Sequence, residues 1–295
     1  MKTDRYIRKI ILLAVAVLFL LPVQQARASG WNVILTLKRD TIEDAMLMPS
    51  ALFVDGQAGR YYVVDSGKNR LLSFDRNGEL LHVFKAGDAL ETPFDMARTD
   101  DGGLWIIEKG KNSLTRIDLK RKTTIPKTLD EKGRLIVPHR LETDGSLLFV
   151  LDKVQGDIHI YDTSLGNKGK ISCESCVQGF FDFKVHGDTV WALDRLGKTV
   201  YRYAFSGTQK EKISLGNAVT YPVSLAIGPS GYIYVLDRHR RDIAVFDPRG
   251  AFKYRFLQPG IASGQLYYPV EVRFDPWEGL CVVDEGNARV EVYKR

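Results

Sequence analysis

Six short apolar strands in this chain each end on an acidic residue, and the distance from one to the next is nearly constant. They are YYVVD ending at Asp65, LWIIE at Glu108, LFVLD at Asp152, VWALD at Asp194, YIYVLD at Asp237 and LCVVD at Asp284. The successive separations are 43, 44, 42, 43 and 47 residues. A unit of that size cannot bury its own apolar face, so neighbouring units have to pack against one another. The stretch Tyr221–Leu257 shows what one unit contains: VSLAI, a Gly-Pro-Ser-Gly turn, YIYVLD, a basic loop, IAVFD, a Pro-Arg-Gly turn and AFKYRFL. Alternating apolar residues bounded by turn residues are strand and hairpin signals. Four strands per unit and six units predict an all-β fold, a six-bladed β-propeller of four-stranded blades.

Other landmarks keep the same phase. A proline opens the first strand at Pro49, Pro93, Pro138, Pro222 and Pro269, with Phe180 in that place in the fourth unit. The sixth unit stops after its third strand. Its missing outer strand is available at the other end of the chain, where Trp31–Lys38 (WNVILTLK) has the outer-strand pattern. The chain is therefore predicted to close by pairing 31–38 with 289–293, which removes open sheet edges. The repeats are nearly regular, and no inserted lid, linker or second domain is evident.

Residues 1–28 stand apart from the repeats. A basic start (Lys2, Arg5, Arg8, Lys9), the apolar run Ile10–Leu21 and the small-x-small segment Ala26-Arg27-Ala28 read as a secretory signal peptide cut after Ala28. The domain division is a signal peptide over 1–28 and a propeller over 29–295. An exported protein, periplasmic or secreted, is expected, with no membrane-spanning segment after cleavage. The formal charge of +6 includes five basic residues and one acidic residue in that segment, so the remainder is nearly neutral. The high pI is thus poor evidence for nucleic-acid binding, and none is expected.

Cys173 and Cys176 form C-E-S-C, with no histidine behind them to make a haem attachment site. In an oxidising compartment a small-loop disulfide is expected. Free thiols, or redox or metal chemistry, are the alternatives the spacing leaves open. Cys281, inside an apolar strand, reads as a buried thiol.

Candidate functional residues fall into three groups. The six strand-end acids offer carboxylates at matched positions, but a short acidic side chain there is explained by accepting backbone N–H groups of the following turn. On the innermost strands, Asp95, Arg140, Asp182 and Glu271 face the central channel at one level, and Glu142, Lys184 and Arg273 lie one step deeper. They are either a self-satisfied plug or the free groups of a polar binding mouth. The loops between second and third strands are basic. They carry Lys109, Lys153 and Arg195, and the densest stretch is Arg238, His239, Arg240 and Arg241. Such a face suits an anionic glycan, a lipid head group or an acidic protein. Trp277, in a Pro-Trp-Glu-Gly turn, is expected to be exposed.

The repeat resembles the NHL repeat. The pattern is carried by YYVVDSGKNRLLSFDRNGEL in the first unit, VLDRHRRDIAVFDPRG in the fifth and VVDEGNARVEVY in the sixth. PGIASGQLYYP (Pro259–Pro269) resembles the Gly-rich lead-in between NHL units. The resemblance spans 31–295 and implies a six-bladed propeller, a fold that hosts binders and enzymes alike. Exported propellers of similar kind include peptide-amidating lyases, which hold zinc with three histidines, and lactonase-type hydrolases, which gather carboxylates around calcium. His82, His139, His159, His186 and His239 occupy unlike positions in their units, which argues against a three-histidine zinc site. The expected role is a non-catalytic binding scaffold for a protein or anionic ligand, a monomer without a cofactor. The alternative is a metal-dependent, lactonase-like hydrolase or lyase at the channel mouth. Its calcium would sit on Asp95, Asp182 and Glu271, with Arg140 between the first two opposing it.

Overall fold

The computed structural model describes residues 30–295 apart from 40, 42, 119, 120 and 122; the expected signal peptide lies outside the described residues. Six four-stranded antiparallel sheets form the blades of a ring. Blade 1 runs Pro49–Asp55, Arg60–Asp65, Arg70–Phe74 and Leu80–Phe84 from the channel outward. Blade 2 starts at Pro93–Arg98, blade 3 at Pro138–Thr143, blade 4 at Asp182–His186, blade 5 at Pro222–Ile227 and blade 6 at Pro269–Phe274. Blade 6 is completed by Asn32–Leu37, which pairs with Arg289–Lys294 from Asn32 opposite Lys294 to Leu37 opposite Val290. Closure by the amino-terminal strand is therefore as the sequence predicts.

The core is divided among the blade junctions. Six buried apolar clusters sit one between each pair of neighbours. Leu225, Val235 and Phe246 of blade 5 pack on Trp191, Leu193 and Val200 of blade 4. Leu52, Val63 and Phe74 of blade 1 meet Leu37, Cys281, Val283 and Val292 of blade 6 across the closing junction. This is the packing expected of units that cannot bury their apolar faces alone. Trp277 belongs to the same junction. It is half-buried against Tyr61, ring centroids 5.5 Å apart, with the Arg76 guanidinium 4.2 Å over its face, and so is not the exposed indole expected from its turn.

Connections between blades are less regular than the sequence suggests. A small hairpin, Leu129–Glu131 with Arg134–Ile136, is inserted between blades 2 and 3. A short parallel pair, Gln258–Pro259 with Gln265–Leu266, lies between blades 5 and 6. The connection into blade 4 carries the Cys173–Cys176 disulfide, with Cα atoms 5.4 Å apart. Among the described residues no helix is long and apolar enough to cross a membrane.

One local device shapes the channel mouth. In the five blades that open with proline the pairing register slips directly after it, between Pro49 and Ala51, Pro93 and Asp95, Pro138 and Arg140, Pro222 and Ser224, and Pro269 and Glu271. Proline has no N–H for the ladder, and a bulge absorbs the extra residue and re-aims it. The residue so displaced is Ser50, Phe94, His139, Val223 or Val270. Blade 4 has no proline there; Phe181 donates its N–H to Leu193 O at 2.8 Å instead.

Candidate functional site

The strand-end acids clamp this end of the ring. Asp65 accepts the N–H groups of Leu47 and Met48, Asp284 those of Tyr267 and Tyr268, and Glu108 that of Glu91. Asp237 holds Thr220 and Tyr221 in the same way and also its own following turn at His239 and Arg240. The carboxylates therefore bind mainly the lead-in to the first strand, and only in some blades the turn expected from sequence. The residue after each acid is tied down as well. Ser66, Lys109, Lys153, Arg238 and Glu285 donate their N–H to the carbonyl of the residue preceding the blade's proline. Two backbone anchors thus fix where these side chains leave the mouth.

Below the mouth, Asp95, Arg140, Asp182 and Glu271 do come together, but each is at most 4% exposed. Arg140 crosses the channel toward the carbonyls of Ser50 and Val270, with Asp95 3.9 Å and Asp182 3.5 Å away. Lys184 lies 3.1–3.7 Å from Glu142, Asp182 and Glu271, and Arg273 2.8 Å from Glu142 and Glu271. Three of the inner carboxylates also accept an N–H from a neighbouring first strand. Asp95 takes Leu141 at 3.0 Å, Asp182 takes Leu225 at 3.1 Å, and Glu271 takes Leu52 at 2.9 Å. Buried charges persist only when paired and hydrogen-bonded; these are, apart from Arg140 Nε and Asp182 Oδ1, which face each other at 3.5 Å without a hydrogen bond. Burial raises the Glu271 carboxyl, but Arg273, Lys184 and Arg140 overcome it and hold it down at about 2. Asp95 goes the other way, pushed up to about 7 by burial and by Glu271. The group is a plug. In blades 2 and 6 the bulge places the residue before the carboxylate at the opening, and Asp182 lies equally deep in the unbulged blade 4. Among the described residues no three His, Cys, Asp or Glu side chains gather as a metal-holding group.

At the opening itself, aromatic rings and cations alternate in an arc from blade 2 to blade 6. Lys109 Nζ stands 2.8 Å over the Phe94 ring. Phe94 stacks on His139 at 5.2 Å and 20°, and His139 meets Phe181 at 5.8 Å. The Arg195 guanidinium lies 3.8 Å from Phe181 and 4.7 Å from Tyr221, which stacks on His239 at 4.4 Å and 10°. Arg238 covers Tyr268 at 4.9 Å and Arg241 covers Tyr267 at 5.5 Å. Cation–π contacts hold a guanidinium or ammonium in place without neutralising it. Among the described residues Lys109, Lys153, Arg195, Arg238 and Arg241 have no carboxylate within ion-pair distance, whereas Arg240 is drawn off to Asp242 at 3.5 Å. Crowding shows in the titration of the arc. Burial, then Arg140 and Lys153, bring Lys109 down to about 7. Burial, then Arg140, Lys109, Lys153 and Arg195, hold His139 neutral, its pKa lowered to about 2.

The loop cations and His139 are legible in the sequence, whereas Phe94, Phe181 and Tyr221 do not stand out by charge or by a repeated residue type. The signal was there: Phe94 and His139 each follow the opening proline of their units, Phe181 follows Phe180 in the same place, and Tyr221 precedes Pro222.

No protein-family model matches the chain, and no curated protein sequence matches it. Solved structures of similar shape do exist. Virginiamycin B lyase from Staphylococcus aureus superposes with a TM-score of 0.61 at 15% identity, over 83% of this chain and 79% of that one. A catalytically inactive variant of that lyase with quinupristin gives 0.62, also at 15%, over 84% and 80%. A streptogramin B lyase gives 0.64 at 11% identity, over 90% and 97%. At such identities the likeness is one of fold alone.

Proposed function

We propose that the chain is an exported NHL-type propeller that recognises an acidic protein or an anionic glycan or lipid through its aromatic and cationic mouth, without transforming it. The observation that carries this reading is the arc of cations standing on aromatic rings with no carboxylate partner. Unpaired charge of one sign held in fixed positions stores electrostatic attraction for a ligand of the other sign. Stacked rings add contact area that is already ordered. The test is retention of the chain from Ser29 onward on a sulfated polysaccharide matrix at moderate salt. Reversal of Arg238, Arg240 and Arg241 to Glu is expected to abolish retention. Reversal of Lys253, Lys294 and Arg295, which line a groove among Trp31, Tyr232 and Tyr254, is expected to leave it. Equal loss in both variants would reduce the effect to net charge and sink the proposal.

A metal-dependent hydrolase or lyase at the mouth is the second reading, favoured by the lyases among the solved structures of like fold. Asp95, Asp182 and Glu271 suit it poorly, since each already accepts a backbone N–H and Arg140 stands between two of them. Elemental analysis of protein purified without chelator decides it. Stoichiometric calcium or zinc, lost on substituting Asp95, Asp182 or Glu271, would favour the enzyme.

A further inference from the structure

Unmatched positive charge and exposed apolar side chains coincide in one cleft of about 580 Å³ between blades 3 and 4. Its polar wall is made by His139, Lys153 and Arg195. Its outer rim carries Val154, Val177 and Leu196, which are 63%, 81% and 48% exposed. The two loops that frame it touch backbone to backbone. Phe180 donates its N–H to Gly156 O at 2.9 Å, and a Cβ on Gly156 would stand 2.5 Å from Gln178 O and from Gly179 Cα. The Cys173–Cys176 disulfide lines the same cleft.

We propose that this cleft binds an amphiphilic anion: an oxyanion head held by His139, Lys153 and Arg195, and a short apolar tail laid over Val154, Val177 and Leu196. The inference rests on the recognition reading of this face and narrows it to a ligand chemistry. The head group follows from the polar wall. His139 is 8% exposed, and its Nδ1 has no hydrogen-bond partner among the described residues; neither has Arg195 Nε. Buried polar atoms without partners cost free energy; Arg195 Nε is a fixed donor and His139 Nδ1 is one in the tautomer that carries its proton there, so a bound acceptor would recover that cost. A neutral imidazole still offers one N–H, and Lys153 and Arg195 supply charge, so the preferred acceptor is anionic. The one carboxylate in the lining, Asp194, is 3% exposed and accepts the N–H of Gly197 at 2.8 Å. The tail follows from the rim. Three exposed aliphatic side chains around one opening have nothing to offer a sugar or a polyphosphate, but they can shield a hydrocarbon from water. The volume is that of a small-molecule site.

The test is calorimetric titration of the protein with octanoate and octyl phosphate, and with octanol, octylamine and inorganic phosphate for comparison. The octyl anions are expected to bind at one site, and Lys153→Gln or Arg195→Gln to weaken them about ten-fold or more. Val177→Ser with Leu196→Ser should weaken the octyl anions and leave inorganic phosphate unchanged; these are rim positions whose exposure puts folding at no risk. Three outcomes would overturn the proposal: no binding of either octyl anion in the millimolar range, equal affinity for octanol or octylamine, or insensitivity to the four substitutions. If octyl anions fail to bind while the Arg238, Arg240 and Arg241 reversal still abolishes retention on the polysaccharide, only the cleft is wrong. If octyl anions bind as expected while that reversal has no effect, the wider recognition face is wrong and the cleft stands.

Discussion

Glu271 Oε2 accepts the backbone N–H of Leu52 at 2.9 Å, bonding the innermost strand of the last blade directly to that of the first. The ring is thus sealed on the channel side as well as through its outer strand. Glu271→Ala orphans the Leu52 N–H and strips Lys184 and Arg273 of a shared partner. Breaking a buried pair from one side costs about 3–5 kcal/mol, and that is the loss expected in a urea titration at neutral pH. Glu271→Gln keeps an acceptor for Leu52 and should lose less. Equal losses for the two variants would remove the hydrogen bond from the account of closure.

The stability of the ring should fall as the pH rises from about 4 to about 7 on account of Asp95. Its carboxyl is raised from 3.8 to about 7 in the folded chain, so within that window the folded state holds a proton that the unfolded state has shed. The slope contributed is at most about 1.4 kcal/mol per pH unit, and it ends above the folded pKa. Glu271 has the opposite sign, since its contribution is complete above 4.5 and is lost only as the pH falls toward 2. Urea midpoints at pH 5 and pH 8 check this; Asp95→Asn should flatten the difference between them. An unchanged slope in that variant would count against the assignment to Asp95.

Lys109 should be unusually reactive for a lysine. Burial, Arg140 and Lys153 lower it to about 7, so near neutrality much of it is the nucleophilic free amine. Trace acylation at pH 7 followed by peptide mass spectrometry is expected to mark Lys109 ahead of exposed Lys132 and Lys210. Octyl phosphate bound in the adjoining cleft should slow that labelling, because added negative charge favours the ammonium form.

The three cysteines should separate cleanly in a thiol assay. Cys281 is fully buried, and burial and then Asp275 push its thiol well above the ordinary range, so it should stay silent until the chain unfolds. Reduction releases Cys173 and Cys176. The loop they close is short, and removing the link should cost about 2 kcal/mol in the chain-entropy account. The larger effect expected is on the cleft beside them, read as weaker binding of octyl phosphate.

The architecture was legible because a propeller repeats its signals. Each strand-end acid, each opening proline and the stray strand Trp31–Lys38 could be checked against five other copies. The mouth was not legible in the same way, because its chemistry differs from blade to blade: the position after the opening proline holds Ser50, Phe94, His139, Val223 and Val270. Strand periodicity pointed to Asp95, Arg140, Asp182 and Glu271 as channel residues, and they are. It could not show that the bulge after the proline lifts the previous side chain and leaves Asp95, Arg140 and Glu271 beneath it, with Asp182 equally deep in the unbulged blade 4. Nor could charge counting tell Arg240, which Asp242 engages, from Arg238 and Arg241, which stand on tyrosine rings.

That bulge also separates what the blades must conserve from what they are free to vary. The residue displaced after the proline has left the ladder, so its identity does not set register, although Ser50 and Val223 are buried and Val270 packs on the closing junction. Randomising positions 94 and 139, with 181 as the unbulged third, would rewrite the aromatic arc at the channel one blade at a time. The fold would then serve as a fixed frame for a three-position library, in which ligand choice and foldability are selected separately.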